Sequence, residues 1–244
     1  MQYHIRCTRV PEICLLPGDP ARAEHISEFL ENPECIAKNR EFWSFKGKYE
    51  GTEVGVTSTG IGAPSTAIAL EELARCGAKS FIRVGTCGAY RDAEIGELAV
   101  IRACIRNDGT GKGYVPLEYP AVASLKVTLA LLSACKELNY KHFCAISDSD
   151  DALYANDPFL PVDTERKKKS ALGDVAEMEA SILFVLSSLY SLNAGAICSV
   201  VNRIGESTEH FVYDNKNIDR MIRCALKGAA ILDSWRDKYE GLLP

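Results

Sequence analysis

The chain has 244 residues, which suits one large α/β domain, and its formal net charge at pH 7 is −5. This balance argues against a general nucleic-acid-binding protein, because such proteins normally carry a basic stripe, and the basic run at residues 166–169 is typical of a solvated segment. The ten cysteines include no CxxC pair, so we expect neither a disulfide framework nor a zinc site. The absence of a signal peptide and of a long apolar run predicts a cytoplasmic protein that does not contact the membrane.

The first part of the chain is predicted to form a strand, a turn and a helix. The apolar run at residues 13–16 indicates the strand, and Pro17-Gly18-Asp19-Pro20 indicates a tight turn before a helix over residues 23–30. Turn chemistry alone explains the glycine and the prolines. Arg22 stands near the helix start, where backbone N–H groups attract anions, so a phosphate site is an equally good interpretation.

The next segment predicts a strand pair and then a parallel crossover. Residues 39–45 are predicted to form an aromatic-rich strand, residues 46–51 a hairpin turn and residues 53–58 a second strand. A glycine-bearing turn leads into a helix over residues 67–76, and a strand over residues 80–84 follows. This order is typical of a β–α–β unit.

The strand at residues 80–84 is unusual because it is apolar but contains an arginine. A buried guanidinium requires an anionic partner, so Arg83 indicates a binding site. Gly85, Thr86 and Gly88 follow at the carboxyl end of the strand, where open α/β sheets place their ligands. We therefore expect an anion site here.

The second half of the chain is predicted to add strands and helices around one long polar segment. The strands are expected at residues 97–105, 143–146 and 196–201, and the helices at residues 125–138, 175–192 and 218–239. Residues 147–172 are polar and rich in aspartate, and they are predicted to form a mobile lid or a specificity loop. No repeat or linker divides the chain, so we expect a single domain over residues 1–244.

Glu177 and Glu179 fall in the first turn of the helix predicted over residues 175–192. The helix dipole favours carboxylates there, so a purely structural role explains both. Residues two apart do not share a helix face, so at most one of them is expected to point into a site if both are helical.

The ends of several predicted strands could meet at one edge of a mixed sheet. Arg22, Arg40 and Arg83 could then bind a phosphate together with Thr86, which suits the forked guanidinium group. A carboxylate such as Glu179 could hold sugar hydroxyls. No serine or cysteine triad is found, and surface or packing roles are expected for three histidines without a partner pattern, His25, His142 and His210.

Five separate motifs of this sequence occur in the same order in nucleoside phosphorylases. They are Gly18-Asp19-Pro20-x-Arg22, Asn39-Arg40-Glu41, Ser58-Thr59-Gly60-Ile61-Gly62-x-Pro64-Ser65, Arg83-x-Gly85-Thr86-x-Gly88-Ala89 and Glu177-Met178-Glu179. The chain resembles this family over nearly its whole length and is most similar to the uridine phosphorylase branch. The resemblance implies a mixed, distorted barrel-like β-sheet flanked by helices, a dimer-based homo-oligomer, usually a hexamer, and the phosphorolysis of a nucleoside.

The resemblance also implies a role for individual residues, with Arg83 and Glu179 as the catalytic pair. The implied phosphate-binding residues are Gly18, Arg22, Arg83 and Thr86, with Arg40 from the neighbouring subunit. The implied ribose-binding residues are Glu177, Met178 and Glu179, with His4 from the neighbour. The implied base-binding residues are Cys87, Gly88, Leu153, Tyr154, Asp157, Phe159 and Arg203. Inorganic phosphate is the expected co-substrate and no organic cofactor is expected, while the residues that match a potassium site between subunits are Glu41, Ile61 and Ser65.

The base pocket is where the sequence departs from the uridine branch. That branch carries a Phe-Tyr-x-x-Gln-x-Arg run, and here Asp157 stands for the glutamine and Phe159 for the arginine. A carboxylate repels an anionic leaving group and phenylalanine cannot donate a hydrogen bond. Either Asn156 or Arg166 substitutes, or the substrate differs from ordinary uridine.

Three interpretations stay open from the sequence. The first is a uridine-phosphorylase-like enzyme, with uridine or a related pyrimidine nucleoside as substrate. The second is a purine nucleoside phosphorylase or nucleosidase, which Asn202-Arg203 disfavours because the purine branch has a Ser-Asp pair there. The third is a catalytically weak relative that binds a nucleoside or phosphate.

Overall fold

The computed structural model describes residues 2–154, 169–204 and 211–235. Ten strands pair into one mixed sheet. The strands are β1 (Ile13–Leu16), β2 (Glu31–Asn39), β3 (Phe42–Tyr49), β4 (Thr52–Thr57), β5 (Ser80–Ala89), β6 (Leu98–Asn107), β7 (Ala121–Val122), β8 (His142–Asp150), β9 (Val175–Glu177) and β10 (Asn193–Arg203). The helices are α1 (Pro20–Ser27), α2 (Ala63–Arg75), α3 (Leu125–Glu137), α4 (Ala180–Leu189) and α5 (Asn215–Ser234), with a short 3-10 helix at Thr110–Gly113.

Five of the strands close on themselves. β5 pairs with β10, β10 with β6, β6 with β8, β8 with β9, and β9 returns to β5. Four further strands extend from β5 as an open arm in the order β1, β4, β3 and β2, and β7 pairs with β6. The structure therefore confirms the expected α/β architecture of a distorted barrel within a larger mixed sheet.

Helices cover both faces of the sheet. Along β5, Phe81 belongs to the apolar cluster that contains α2 and α4, while Ile82 and Val84 belong to the cluster with α1, α3 and α5. This alternation is what a strand buried on both faces requires. A polar side chain on such a strand must therefore find its hydrogen-bond and charge partners within the protein. Arg83 is a side chain of this kind.

Most of the predicted elements are present, but the strand over residues 39–45 is wrong. The chain turns between β2 and β3, and Arg40 in that turn has a φ of 53°, in the left-handed region. β2 was not predicted because its sequence contains a proline and does not alternate between apolar and polar residues. Most of its residues are exposed in the structure. The predicted hairpin turn is also shorter, since β3 continues to Tyr49.

The helix predicted over residues 175–192 is wrong in its first turn. Val175 and Ala176 pair with β5, and the whole β9 strand pairs with β8, so the helix begins only at Ala180. Tertiary pairing overrides helix propensity here. Glu177 ends the strand and Glu179 lies at the helix cap, which changes the direction of both side chains.

All ten cysteines lie in the described residues, where they are free thiols. Within residues 2–154, 169–204 and 211–235, no helix combines the length and the hydropathy that crossing a bilayer needs.

The start of the chain is held by one carboxylate of α2. Glu72, 4% exposed, accepts hydrogen bonds from the backbone N–H groups of Tyr3, His4 and Ile5, and the Nδ1 atom of His4 lies 3.1 Å from its Oε1 atom. Burial by itself would raise the pKa of Glu72, but the donors from Ile5, Tyr3 and His4 outweigh it and lower the pKa from 4.5 to about 2. The ionised form of Glu72 is thus the one that stabilises this segment.

We expect Glu72→Gln to lower the free energy of unfolding at pH 7 by about 2–3 kcal/mol. Because the folded-state pKa lies below the ordinary value, the contribution is complete above pH 4.5 and is lost as the pH falls towards 2. Denaturant unfolding at pH 7 and pH 3 measures both values. The exposed Glu53 provides a control, since Glu53→Gln should change stability little at either pH. An equal effect of Glu72→Gln at both pH values would contradict this assignment.

Candidate active site

A cleft of about 1170 Å³ opens where several parallel strands end. β4, β1, β5 and β10 run parallel as neighbours, so their carboxyl ends lie at the same edge. The turns after these strands supply part of the cleft lining, including Gly18, Gly60 and Ile204, and the end of β5 itself supplies Gly88. This is the position that open α/β sheets use for ligands.

A buried cation, Arg83 on β5, lines the cleft. Its Nε atom donates to Oε2 of Glu177 at 2.9 Å, and its Nη2 atom forms an ion pair with Oε2 of Glu179. All three residues are more than nine-tenths buried. Both glutamates therefore contact the same guanidinium. The expectation that at most one would point into a site applied only if both were helical, and here Glu177 ends β9 and Glu179 is the cap of α4.

The two carboxylates have different surroundings. Glu177 accepts the backbone N–H groups of Glu179 and Ala180, both at 2.8 Å, and the hydroxyl of Ser147 at 3.2 Å. Glu179 accepts the N–H of Gly62, the N-terminal cap of α2, at 2.6 Å. Glu177 is thus fixed by the protein on several sides, whereas Glu179 joins Arg83 to the turn that lines the cleft.

Charge and burial compete at this cluster. Burial by itself would lower the pKa of Arg83, but the charges of Glu179 and Glu177 outweigh it, so the pKa is raised above its ordinary value. Burial raises the pKa of Glu179, and the charge of Arg83 limits that rise. Arg83 stays cationic throughout the physiological range and can meet an anion in the cleft.

Gly85 has no side chain, and the guanidinium group of Arg83 occupies the space where a Cβ atom would lie. A Cβ atom on Gly85 would lie 2.8 Å from the guanidinium carbon of Arg83, a distance that real Cβ atoms do not show. Any other residue would push the guanidinium away from the two glutamates. The Arg83-x-Gly85 spacing is thus a geometric requirement of the site.

A second cation, Arg22, lies at the start of α1. Asp19 caps this helix by accepting the N–H of Ala21 at 2.9 Å, and Pro20 occupies its first turn. Burial lowers the pKa of Arg22, and the nearby charge of Arg83 lowers it further. Arg22 makes no ion pair with a carboxylate among the described residues, so of the two arginines that line the cleft only Arg83 is neutralised by carboxylates.

The family model of the phosphorylase superfamily matches residues 12–235, nearly the whole chain. The chain belongs to the phosphorylase superfamily. A relative called uridine phosphorylase, from Thermococcus kodakarensis, is 44% identical over an alignment that covers 98% of this chain and 90% of that protein.

Solved structures of superfamily members have the same fold. A purine nucleoside phosphorylase from Toxoplasma gondii, in complex with immucillin-H, has a TM-score of 0.88 at 31% identity, covering 94% of this chain and 95% of that one. A uridine phosphorylase from Vibrio fischeri has a TM-score of 0.85 at 33% identity, covering 96% and 97%. The superfamily resemblance seen in the motifs is thereby confirmed.

Most of the residues that the superfamily motifs predicted for the site do line this cleft. Beyond Arg22, Arg83 and the two glutamates, they are Gly18, Glu41, Ile61, Ser65, Thr86, Cys87, Gly88, Leu153, Tyr154 and Met178. Ser65 donates its hydroxyl to the carbonyl of Ile61 at 3.0 Å, so these two residues are in contact. Their roles in binding phosphate, ribose, base or potassium stay predictions.

Three predicted residues do not line the cleft of their own chain. His4 is bound to Glu72, and Arg40 projects from the β2–β3 turn with its side chain 65% exposed. Arg203 donates from Nε to the carbonyl of Ala93 at 2.8 Å and lies near Asp92, so its guanidinium is directed to the β5–β6 connection. Asp157 and Phe159 lie outside the described residues.

The cleft also contains residues that the superfamily motifs did not predict as site residues. They are Asp19, Pro20, Gly60, Gly85, Tyr90, Asp150, Ala152, Lys169, Ala176, Val201, Asn202, Ile204, Phe211 and Tyr213. Asn202 is 8% exposed, and its Oδ1 atom is buried without a hydrogen-bond partner among the described residues. Its position near the end of β10 was visible in the sequence, but the β-bulge between Val200 and Asn202, beyond which it pairs with Gly88, was not.

Proposed function

We propose that the protein is a pentosyltransferase that cleaves uridine, or a related pyrimidine nucleoside, with inorganic phosphate to give the free base and a pentose 1-phosphate. The observation that carries the proposal is that two arginines line the cleft and only one of them forms ion pairs with carboxylates. Arg83 is neutralised by Glu177 and Glu179, whereas Arg22 makes no ion pair among the described residues. A phosphate dianion can pair with the forked guanidinium group of Arg22.

The chemistry of phosphorolysis fits this arrangement. Cleavage of the bond between C1′ and the base nitrogen builds positive charge on the sugar and negative charge on the base. A phosphate held by Arg22 and Arg83, with Gly18 and Thr86 beside it, stabilises the sugar cation and then attacks C1′ as the nucleophile. The protein needs to supply no covalent nucleophile, because phosphate itself forms the new bond.

Glu179 is proposed to accept a hydrogen bond from a ribose hydroxyl, with Met178 packing on the sugar. Its carboxylate lies beside Arg83 and at the edge of the cleft, so a hydroxyl bonded to it places C1′ close to a phosphate on Arg83. Glu177, whose carboxylate is saturated by backbone and side-chain donors, is proposed to position Arg83.

The base is proposed to lie beyond Gly88, towards Tyr154 and Asn202. The relative from Thermococcus kodakarensis, called a uridine phosphorylase, favours a pyrimidine. The likeness to the Toxoplasma gondii purine nucleoside phosphorylase keeps a purine nucleoside as the second candidate.

We propose that the active form is a dimer-based homo-oligomer, a hexamer as the motifs predict. Arg40 and His4 lie outside the cleft of their own chain, and Asn39 donates to the carbonyl of His4 at 2.8 Å, which places both residues on one outer surface. A neighbouring subunit could thus contribute both to one cleft, Arg40 to phosphate and His4 to ribose. A potassium ion at Glu41, Ile61 and Ser65 and a cytoplasmic location belong to the same proposal, the latter supported by ten free thiols.

The test is base release from uridine, 2′-deoxyuridine, cytidine, inosine, guanosine and adenosine, each with and without phosphate. Uridine cleavage that requires phosphate and yields ribose 1-phosphate supports the proposal. Turnover of purine nucleosides alone would replace it with the second candidate. Nucleoside binding without any turnover would contradict an enzymatic function.

A further inference from the structure

Two buried thiols, those of Cys7 and Cys76, are in contact although 69 residues separate them in the sequence. Their Sγ atoms lie 3.1 Å apart, and the Sγ atom of Cys76 is also 3.2 Å from the carbonyl oxygen of Cys7. Cys7 is 6% exposed and Cys76 is 4% exposed. Within the described part of the chain, neither residue lines the cleft, so the proposed function gives this pair no role.

The pair joins the N-terminal segment, residues 2–10, to the end of α2. The segment contains no helix or strand, whereas Cys76 is the C-terminal cap of α2. Besides its contact with Cys7, Cys76 accepts a hydrogen bond from Nε2 of Gln2 to its Sγ atom at 2.6 Å and from the backbone N–H of Val10 to its carbonyl at 3.1 Å. Cys76 is thus the residue on which the start, the middle and the end of the segment meet.

The geometry of the two thiols is close to that of a bond. The sulfur atoms of a disulfide lie about 2 Å apart, so the two Sγ atoms need to approach by only about 1 Å. The backbone of Cys7 belongs to a local turn, in which its N–H group donates to the carbonyl of Ile5 at 2.8 Å. A small shift of the segment therefore breaks no strand pairing.

The closed segment protects the pair from oxidation. Burial and the hydrogen bond with Cys76 raise the pKa of Cys7 to about 12, and the neighbouring charge of Glu72 adds to this effect. Because the thiolate is the reactive form, the pair reacts slowly near neutral pH until the segment opens locally. In the reducing compartment proposed for this protein, the resting state of the pair is the dithiol.

We propose that Cys7 and Cys76 are a redox site, which a hydroperoxide converts into a reversible disulfide that locks the N-terminal segment onto α2. One thiolate attacks the peroxide, whose O–O bond breaks to give a sulfenic acid. The second thiol then displaces the sulfenic hydroxyl group as water and forms the S–S bond. Two thiols and one hydrogen peroxide thus give one disulfide and two waters, and the sulfur atoms supply both electrons. This inference goes beyond the proposed function and does not depend on it.

The test uses the full chain with the exposed Cys35 and Cys144 replaced by serine, so that surface thiols do not consume the oxidant. After treatment with hydrogen peroxide at pH 8, the remaining thiols are alkylated and the peptides are mapped by mass spectrometry without reduction. We expect the peptide of Cys7 to be linked to that of Cys76, and dithiothreitol to remove the link. The Tm should rise by about 5–10 °C on oxidation, because the bond closes a long loop in the unfolded chain.

Three variants test the assignment in this background. Cys76→Ser should give neither the link nor the rise in Tm. Cys135→Ser is the matched control, because it removes a thiol that is buried against Cys224 between α3 and α5 and should leave both results unchanged. Glu72→Gln removes the charge that holds the segment, so it should speed formation of the link about tenfold or more.

Two results would overturn the proposal. The first is a link from either cysteine to the nearby buried thiol of Cys14, or no link at all even in Glu72→Gln. The second is a Cys7–Cys76 link that leaves the Tm unchanged, which would show that the bond does not lock the segment. Peptide mapping of the protein with both cysteines present decides the first point even if Cys76→Ser fails to fold.

Discussion

Replacement of Arg83 by alanine is expected to lower phosphate-dependent uridine cleavage by at least about a thousandfold. The variant loses the cation that is proposed to bind phosphate beside Glu179, the carboxylate proposed for ribose. It also leaves Glu177 and Glu179 buried without their shared partner. We therefore expect the free energy of unfolding to fall by about 3–5 kcal/mol. Steady-state kinetics with varied phosphate and denaturant unfolding measure the two effects.

Arg22→Ala separates these two effects. Arg22 makes no ion pair among the described residues and is repelled by Arg83, so its loss should change stability by about 0.5 kcal/mol or less. The KM for phosphate should nevertheless rise about tenfold or more. Near-normal turnover in Arg83→Ala would show that phosphate binds elsewhere.

Glu179→Gln is expected to reduce kcat/KM for uridine about a hundredfold. The glutamine keeps the size of the side chain but loses the charge that pairs with Arg83 and that is proposed to accept a hydrogen bond from a ribose hydroxyl. One of the two analogues, 2′-deoxyuridine or 3′-deoxyuridine, lacks the hydroxyl that donates a hydrogen bond to Glu179. For that analogue Glu179→Gln should lower kcat/KM by a smaller factor. Measuring kcat/KM for the three nucleosides identifies that hydroxyl.

Glu177→Gln is the matched comparison for this experiment. Glu177 accepts two backbone N–H groups and one hydroxyl, so its replacement should lower stability without changing discrimination between the three nucleosides. If Glu179→Gln reduced cleavage of all three nucleosides equally, its contact with the sugar would be refuted.

The sequence predicted the phosphate side of the cleft better than any other part. An arginine in an apolar strand followed by a glycine turn has few structural explanations, and the strand, the burial and the partners of Arg83 are all as the chemistry requires. The β–α–β unit before it was also predictable, because Gly77 and the apolar periodicity mark its boundaries.

The base side was not predictable, because it depends on contacts between distant segments. Tyr90 follows a glycine motif and attracts no attention in the sequence, and its place in the cleft lining and its hydrogen bond to Asp148 arise only when β8 lies beside the end of β5. The prediction that Glu177 and Glu179 lie in a helical turn was wrong for the same reason, because the pairing of β9 with β5 and β8 decides their conformation. Local propensity contains no information on these pairings.

β5 pairs with β1 along its first half and with β10 along nearly its whole length, and β9 joins at its end. The groups proposed for phosphate and sugar are thus built on or beside the middle of a closed framework, whereas those proposed for the base come largely from its ends and connections, such as Leu153, Tyr154 and Asn202. Substitutions at these outer positions can change the accepted base without disturbing the attacking group. This division gives a physical reason why one ancestral scaffold could diversify into enzymes for pyrimidine and purine nucleosides.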